Sequence, residues 1–298
     1  MSVTRPLLRY FGGKFRMAPW IIDHFPTHRT YTETFGGAAS VLLLKPRAYA
    51  EVYNDLDGEV VHLFRVLQDE DLAEQLSRLL YLTPYAREEF EQAYEPSVDT
   101  LERARRTLIK SFMGFGSNAI HVPGPKGRGF NTRLSTGYVP GRGSTGFRAD
   151  ASRSGTTPAH DWRHFVDALP AIIERLRGVV IENRDALEVL QRFDRGDALH
   201  YVDPPYVHAT RSNARRDSYR HELTDDQHRD LAEVLHGLGG MVVLSGFQSD
   251  LYDELYEDWR AVTKPARGDR ARPMIEVLWL NDAASSRLEG RLDFGRAS

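Results

Sequence analysis

The chain has 298 residues, 41% apolar and 27% charged, a balance that excludes bulk disorder and allows one large domain or two smaller ones around a sizeable core. Thirty-nine Lys and Arg against 42 Asp and Glu leave a net charge of −3, so any surface for a polyanion must come from local segregation of charge. There is no cysteine, which excludes disulfides, thiolate metal ligands and cysteine nucleophiles together.

The opening MSVTRPLLRYFGGK has no apolar core of signal-peptide length, and no run approaches a membrane-spanning length, so a cytoplasmic protein is expected. TYTETF predicts a short strand before Gly36 and Gly37, and AASVLLLKP a helix closed by Pro46. AEVYN (50–54) predicts a second strand. From Asp57 to about Phe112 apolar residues recur at helical spacing, and Pro84 and Pro96 divide the stretch into three helices. The composition then changes. Ten of the 24 glycines fall between Gly114 and His160, with six basic residues (Lys126, Arg128, Arg133, Arg142, Arg148, Arg153) against the single acid Asp150. A loop this long inside a domain is either functional or disordered.

Alternation of strand and helix then resumes. A helix is expected from about Asp161 to Arg177, then a strand in GVVIEN, a helix over Ala186–Phe193 and a strand in ALHYV. A polar loop reaches about Leu223, followed by a helix (225–238), the strand MVVLS, a helix (250–258) and a late strand VLWL (277–280). This order predicts a mostly parallel α/β sheet into which the basic, glycine-rich stretch is inserted.

Ligands of such sheets bind at the carboxyl ends of the strands. Four places there invite chemistry. Small residues in Glu33-Thr34-Phe35-Gly36-Gly37-Ala38-Ala39-Ser40 would let the backbone approach a ligand beside a helix N-terminus, or form no more than a tight turn. Asp55, 18 residues beyond Gly37, stands where nucleoside-binding folds put a carboxylate for ribose hydroxyls; the other reading is a helix cap. Tyr10-Phe11-Gly12-Gly13-Lys14 is no phosphate-binding P-loop, which needs glycine at Leu8 and Ser or Thr at Phe15; it leaves a lysine to pair with a ligand carboxylate, or one merely solvated.

Asp203-Pro204-Pro205-Tyr206 is the sharpest signal. Two prolines cannot continue a helix or central strand, so they fix a carboxylate, a carbonyl and an aromatic ring at a strand end. Asp203 and the Pro204 carbonyl can accept both hydrogens of an amino group on a flat ring, with Tyr206 stacked on its face. The basic insertion, together with Arg211, Arg215, Arg216 and Arg220, can follow phosphates and read guanine edges, and Asn118 and Asn131 can read adenine; the bland reading is a solvated loop. The pairs His24/His28 and His160/His164 lack the glutamate of a zinc-protease helix, and no metal site is expected.

Taken in this order, the motifs resemble the Dam-type, alpha-class DNA adenine-N6 methyltransferases over almost the whole chain. The likeness runs from the aromatic-x-Gly-Gly-Lys start and Phe-Gly-Gly-Ala-Ala-Ser turn through Tyr53-Asn54-Asp55, the stretch from Phe112 to Asn118 and Asp-Pro-Pro-Tyr, to Glu276-Val277-Leu278-Trp279-Leu280. It implies a Rossmann-like S-adenosylmethionine-dependent methyltransferase sheet, with a catalytic part at 1–56 and 178–298 and a target-recognition insertion at 57–177. It implies cofactor contacts at Tyr10, Lys14, Asp55, Asp185 and Asp203, a pocket shaped by Phe35 and Gly37, and a base held by Asp203, Pro204, Pro205 and Tyr206. Double-stranded DNA is the implied partner, at Asn118, Lys126, Arg128, Arg133, Arg142, Arg148, Arg211, Arg215 and Arg216. A monomer without metal or membrane contact is expected.

The sequence departs from the family where proline is common at Thr34 and glycine at Ala39, which predicts a less complementary pocket without loss of binding. Cytosine-N4 enzymes more often carry Ser before Pro-Pro-Tyr, and glutamine-directed protein methyltransferases Asn, so Asp203 favours adenine. A catalytically silent DNA-binding protein on the same scaffold is the remaining alternative.

Overall fold

The computed structural model describes residues 2–117, 119–121, 145–149, 156–210, 219–267 and 273–296. The chain divides into two compact units. The helical unit comprises Met1–Phe15, Asp57–Arg177 and Asp217–Arg220, and the sheet unit Arg16–Leu56, Gly178–Arg216 and His221–Ser298. Residues 1–15, expected with the catalytic part, group with the helices instead.

In the sheet unit β1 (Thr30–Glu33), β2 (Ala50–Asn54), β3 (Val180–Glu182), β4 (Ala198–Val202), β5 (Met241–Phe247), β6 (Arg260–Arg267) and β7 (Pro273–Leu280) form one sheet. Its order is β3-β2-β1-β4-β5-β7-β6. The first five strands are mutually parallel, and β7 runs antiparallel to both β5 and β6. This is the Rossmann-like methyltransferase sheet that the motif order predicts. All five residues of β4 are buried, as its central place in the sheet requires, and its one histidine, His200, meets the Thr32 hydroxyl at 2.7 Å. Helices α1 (Ala18–Asp23), α2 (Ser40–Leu44), α8 (Ala186–Phe193), α9 (Asp225–His236), α10 (Asp250–Leu255) and α11 (Asp282–Arg296) belong to the same unit. One of its cores joins Leu190, Leu231, Leu235, Val242, Leu244, Tyr252, Tyr256 and Trp279. Thr224 starts α9 with a reciprocal capping box to Gln227.

The helical unit holds α3 (Gly58–Gln68), α4 (Glu70–Leu82), α5 (Arg87–Gln92), α6 (Thr100–Met113) and α7 (Pro158–Leu176). The stretch expected to make three helices makes four. The extra break is at Asp69, whose extended backbone ends α3 while its carboxylate caps α4 through Leu72 N–H at 3.0 Å. Phe112 stacks on Phe165 at 4.0 Å, joining α6 to α7 inside the unit.

Two local features of the sheet unit carry measurable energy. The helix expected from AASVLLLKP begins only at Ser40, because Ala39 adopts φ 52° and ψ 34°, the left-handed region where glycine is at ease and an L side chain is not. Glu33, at the end of β1, is buried, and its Oε2 accepts the Tyr31 hydroxyl and the Leu42 N–H, both at 2.7 Å. Burial pushes its carboxyl up to about 8, with the neighbouring Asp203 adding to the rise and Lys45 opposing it.

We expect Ala39→Gly to raise the unfolding free energy by up to about 1 kcal/mol in denaturant titrations, because relief of the left-handed strain exceeds the entropy that glycine adds to the unfolded chain. For Glu33 the folded state keeps its proton between pH 4.5 and about 8 while the unfolded chain has lost it. Stability contributed at this residue therefore falls as pH rises, by at most about 1.4 kcal/mol per unit, across that window. Glu33→Gln should flatten that slope, and an unchanged pH dependence would show that Glu33 is not the group that titrates.

Candidate active site

The register of the sheet brings the expected residues to one edge. Glu33 of β1 pairs with Tyr53 of β2 on one side and Tyr201 of β4 on the other. Two residues beyond each partner, Asp55 and Asp203 leave the sheet at its carboxyl end, flanking the turn that begins at Thr34.

That turn is fastened to β2. Gly36 N–H donates to Asn54 O at 2.8 Å and the Tyr53 hydroxyl donates to Gly37 O at 2.7 Å. A Cβ on Gly36 would lie 2.1 Å from the Tyr53 ring, so only glycine fits there, and Gly37 itself has φ 47°. Asp55 accepts the Gly37 N–H at 2.7 Å. It does not cap α3; Asp57 does so, accepting from Glu59 N–H at 2.9 Å. Phe35 lies half-buried against the aromatic core of the unit.

Asn54 reaches further than its place in the sequence suggested. Its Nδ2 donates to Thr34 O at 2.9 Å and Arg184 O at 3.1 Å, and its Oδ1 accepts Arg184 N–H at 2.9 Å. The loops after β1, β2 and β3 are thereby tied to one buried amide. Asp185, expected to face an adenine ring, uses its carboxylate to cap α8, accepting Leu187 N–H at 2.8 Å.

At the end of β4, Asp203 Oδ1 accepts the Ser245 hydroxyl at 2.8 Å, and the Tyr201 hydroxyl lies 3.0 Å from Ser245 Oγ. A serine has one hydrogen to give, so Tyr201 donates to Ser245 while Ser245 donates to Asp203. Pro204 and Tyr206 are buried and Asp203 and Pro205 half-buried. The Tyr206 hydroxyl donates to Glu276 Oε1 of β7, and its ring meets Phe247 edge-on at 4.7 Å and 71°. Burial first, then the carboxylates of Asp203 and Glu276, push the Tyr206 phenol well above its usual value.

Tyr10 and Lys14 belong to the helical unit. Tyr10 sets its ring edge to His121 at 5.0 Å, and the buried Lys14 donates from Nζ to Gly12 O at 3.1 Å. His121 and Arg220 both approach Asp57 there, Arg220 at 2.8 Å. Arg148, expected on DNA, donates to Asp161 Oδ2 at 2.8 Å, while Arg5 donates to Oδ1 of the same carboxylate at 2.7 Å. Its backbone is also held, by Met113 O at 2.7 Å and the Tyr85 hydroxyl at 2.7 Å. Arg148 thus shares one carboxylate with Arg5 and, with its backbone bonded, helps to fasten the helical unit. Asn118, Lys126, Arg128, Arg133, Arg142, Arg211, Arg215 and Arg216 lie outside the described residues. Among the described residues, no group of three His, Asp or Glu could hold a metal ion, and no helix is long and apolar enough to cross a membrane.

Sequence reasoning passed over Asn54, Ser245 and Glu276. Asn54 and Glu276 do lie in segments that carry the family likeness, but nothing in the chain order says what they touch.

Comparison with known proteins converges on the same chemistry. The family model for the D12 class N6 adenine-specific DNA methyltransferase matches residues 10–114 and 153–268. A Type II methyltransferase, M1.LlaDCHI of Lactococcus lactis subsp. cremoris, is 27% identical over 272 residues, covering 86% of this chain and 85% of its own length. A family match that spans both the glycine turn and Asp-Pro-Pro-Tyr, on a sheet of methyltransferase order, means that this chain belongs to the D12 class of N6 adenine-specific DNA methyltransferases.

Proposed function

We propose that this chain transfers the methyl group of S-adenosylmethionine to the N6 amino group of an adenine flipped out of double-stranded DNA, with Asp203, Pro204, Pro205 and Tyr206 holding the base. The observation that carries this reading is the placement of Asp203 and Asp55 at one sheet edge, on either side of the glycine turn after β1. The donor set there suits a nucleoside cofactor. Asp55 is held by Gly37 N–H beside the turn, and a carboxylate there is the kind of acceptor that ribose hydroxyls need. Phe35 and Gly37 shape the same turn. Tyr10 and Lys14 keep the cofactor contacts that the family likeness implies.

When bound, S-adenosylmethionine supplies a methyl carbon made electrophilic by its sulfonium. The protein has to make a poor nucleophile competent. The amino nitrogen of adenine delocalises its lone pair into the ring, and inside a duplex it is out of reach, so flipping costs roughly a few kcal/mol. By accepting both N–H groups, Asp203 and the Pro204 carbonyl draw the nitrogen toward tetrahedral geometry and free its lone pair. Ser245, bonded to Asp203 Oδ1, fixes the carboxylate for that task. The contribution is one of position and electrostatics, and the proton can leave after transfer without a strong base.

The DNA contacts fall to the basic stretch between Gly114 and His160 and to Arg211, Arg215 and Arg216, with residues 57–177 as the target-recognition part and the sheet as the catalytic part. Asn118, Lys126, Arg128, Arg133 and Arg142 belong to that surface. Since the whole chain carries −3, the attraction is local, and affinity should fall as salt rises in proportion to the phosphates engaged. Because the Lactococcus relative is a Type II methyltransferase, we extend to this chain a site-specific role in restriction and modification.

Nucleoside mass spectrometry on mixed-sequence duplex DNA, incubated with the protein and S-adenosylmethionine, should show N6-methyladenine. Asp203→Ala should abolish it while sparing much of the DNA binding. N4-methylcytosine in its place, or appreciable turnover by Asp203→Ala, would overturn the assignment.

A further inference from the structure

Tyr206 is held from two strands at once. β5 and β7 are antiparallel neighbours, and Phe247 of β5 stands directly opposite Glu276 of β7. Side chains directly opposite on an antiparallel pair lie on the same face. The Tyr206 ring meets both: its edge contact with Phe247 limits how the ring turns, and the hydrogen bond from its hydroxyl to Glu276 fixes the far end. Pro204 and Pro205 restrict the backbone that leads into it. The ring is thus determined at its root, along its edge and at its tip.

We infer that Glu276 is a positioning residue of the methyl-transfer reaction, which sets the plane of the Tyr206 ring and, through it, the plane on which the target adenine lies. The inference rests on the reading of Asp203–Tyr206 as the base-holding loop.

Burying a phenol does not explain Glu276. The hydroxyl of Tyr256, buried in the same unit, has no hydrogen-bond partner among the described residues, so this core tolerates a tyrosine with no carboxylate beside it. A carboxylate at 4% exposure is costly compared with an apolar side chain of similar size, and an apolar residue would cover the ring equally well. What a carboxylate adds is direction, since it accepts the phenol hydrogen along one line. Because the phenol is held well above its usual value, it remains a donor throughout the neutral range, and the bond does not switch with pH.

The test uses the full chain, S-adenosylmethionine and a duplex bearing its methylation site, with kcat and both KM values measured for wild type, Glu276→Leu, Glu276→Gln, Tyr206→Phe and the double variant Glu276→Leu/Tyr206→Phe. A misplaced ring should lower kcat by about 10- to 100-fold in Glu276→Leu and in Tyr206→Phe, with the KM for S-adenosylmethionine within about 2-fold of wild type. Glu276→Gln, whose amide oxygen still accepts the phenol hydrogen, should stay within about 3-fold in kcat. The double variant should be no slower than the worse single one, because both remove the same bond. A Glu276→Leu enzyme with wild-type kcat, or a double variant whose loss is the product of the two singles, would overturn the inference. If Glu276→Leu does not fold, Tyr206→Phe at wild-type kcat overturns it alone. Failure of the wild-type protein to methylate adenine would count against the proposed function itself, before any variant is compared.

Discussion

The side-chain amide of Asn54, buried at the end of β2, donates to the carbonyls of Thr34 and Arg184 and receives the Arg184 N–H on its oxygen. An amide has two donor hydrogens and an acceptor oxygen, and here three hydrogen bonds engage both kinds of group inside the protein. One runs to the turn after β1, at Thr34, and two to Arg184 in the segment after β3. Neighbouring strands in a parallel sheet are joined along their length by backbone bonds, but their loops have no such obligation once they leave the ladder. Asn54 supplies it. With the loops fixed to one another, Asp55 is aimed at Gly37 and Asn183 reaches back to the Asp55 carbonyl at 2.8 Å. The edge that would receive a nucleoside is therefore organised by one neutral side chain, which carries no desolvated charge.

Charge is buried beneath that edge, and it is organised differently. Lys45 pairs with Glu51 at 2.6 Å, both nearly inaccessible, and its ammonium lies 4.4 Å from the centre of the Tyr31 ring. Tyr31 in turn donates to Glu33, which accepts the Leu42 N–H of α2 as well. A buried pair of this kind contributes little net stability, because desolvation offsets most of the attraction. What it provides is register. The polar atoms find partners only when β1, β2 and α2 sit in one arrangement, and that arrangement sets the turn from Thr34 to Ala39. The strained Ala39 belongs to the same turn: the residues around it over-determine its backbone, so a left-handed alanine persists where the family favours glycine.

The parts of this fold that could be read directly are those whose ends coincide with a change of composition. β2, β4 and α8 occupy the expected residues because each is a continuous or periodic run closed by turn formers or by Asp-Pro-Pro. β6 escaped notice because it is an edge strand. Its sequence RAVTKPAR is polar and carries Pro265, which an edge tolerates and a central strand does not. α1 is too short for helical periodicity, and α11 has too weak an apolar stripe to announce itself. The placing of Asp55, Phe35, Gly37 and the Asp203–Tyr206 loop at the carboxyl end of the sheet was legible because each stands just after a strand. The structural bonds of Asp185 and Arg148 were not legible, because a cap and an ion pair use the same side chains as a ligand contact and only neighbours in space reveal them.

Ser245 and Glu276 show why position in the chain could not reveal the rest. Glu276 lies 70 residues from Tyr206 and Ser245 42 residues from Asp203, so each contact depends on how β4, β5 and β7 pair. In the observed antiparallel register Glu276 stands opposite Phe247, where the Tyr206 hydroxyl finds its acceptor. The antiparallel strand is thus more than a way of extending the sheet. It begins at the edge where β4 and β5 end, so its early residues, Glu276 among them, lie there, whereas a parallel strand would bring its last residues to that edge. Methyl transfer to an amino group is chiefly a problem of alignment, and alignment is most secure when the reacting loop is supported by strands rather than by other loops. Here the carboxylate and the ring of Asp-Pro-Pro-Tyr are each held by a side chain from the sheet interior, Ser245 at 0% and Glu276 at 4% exposure, so the loop shares the rigidity of the sheet.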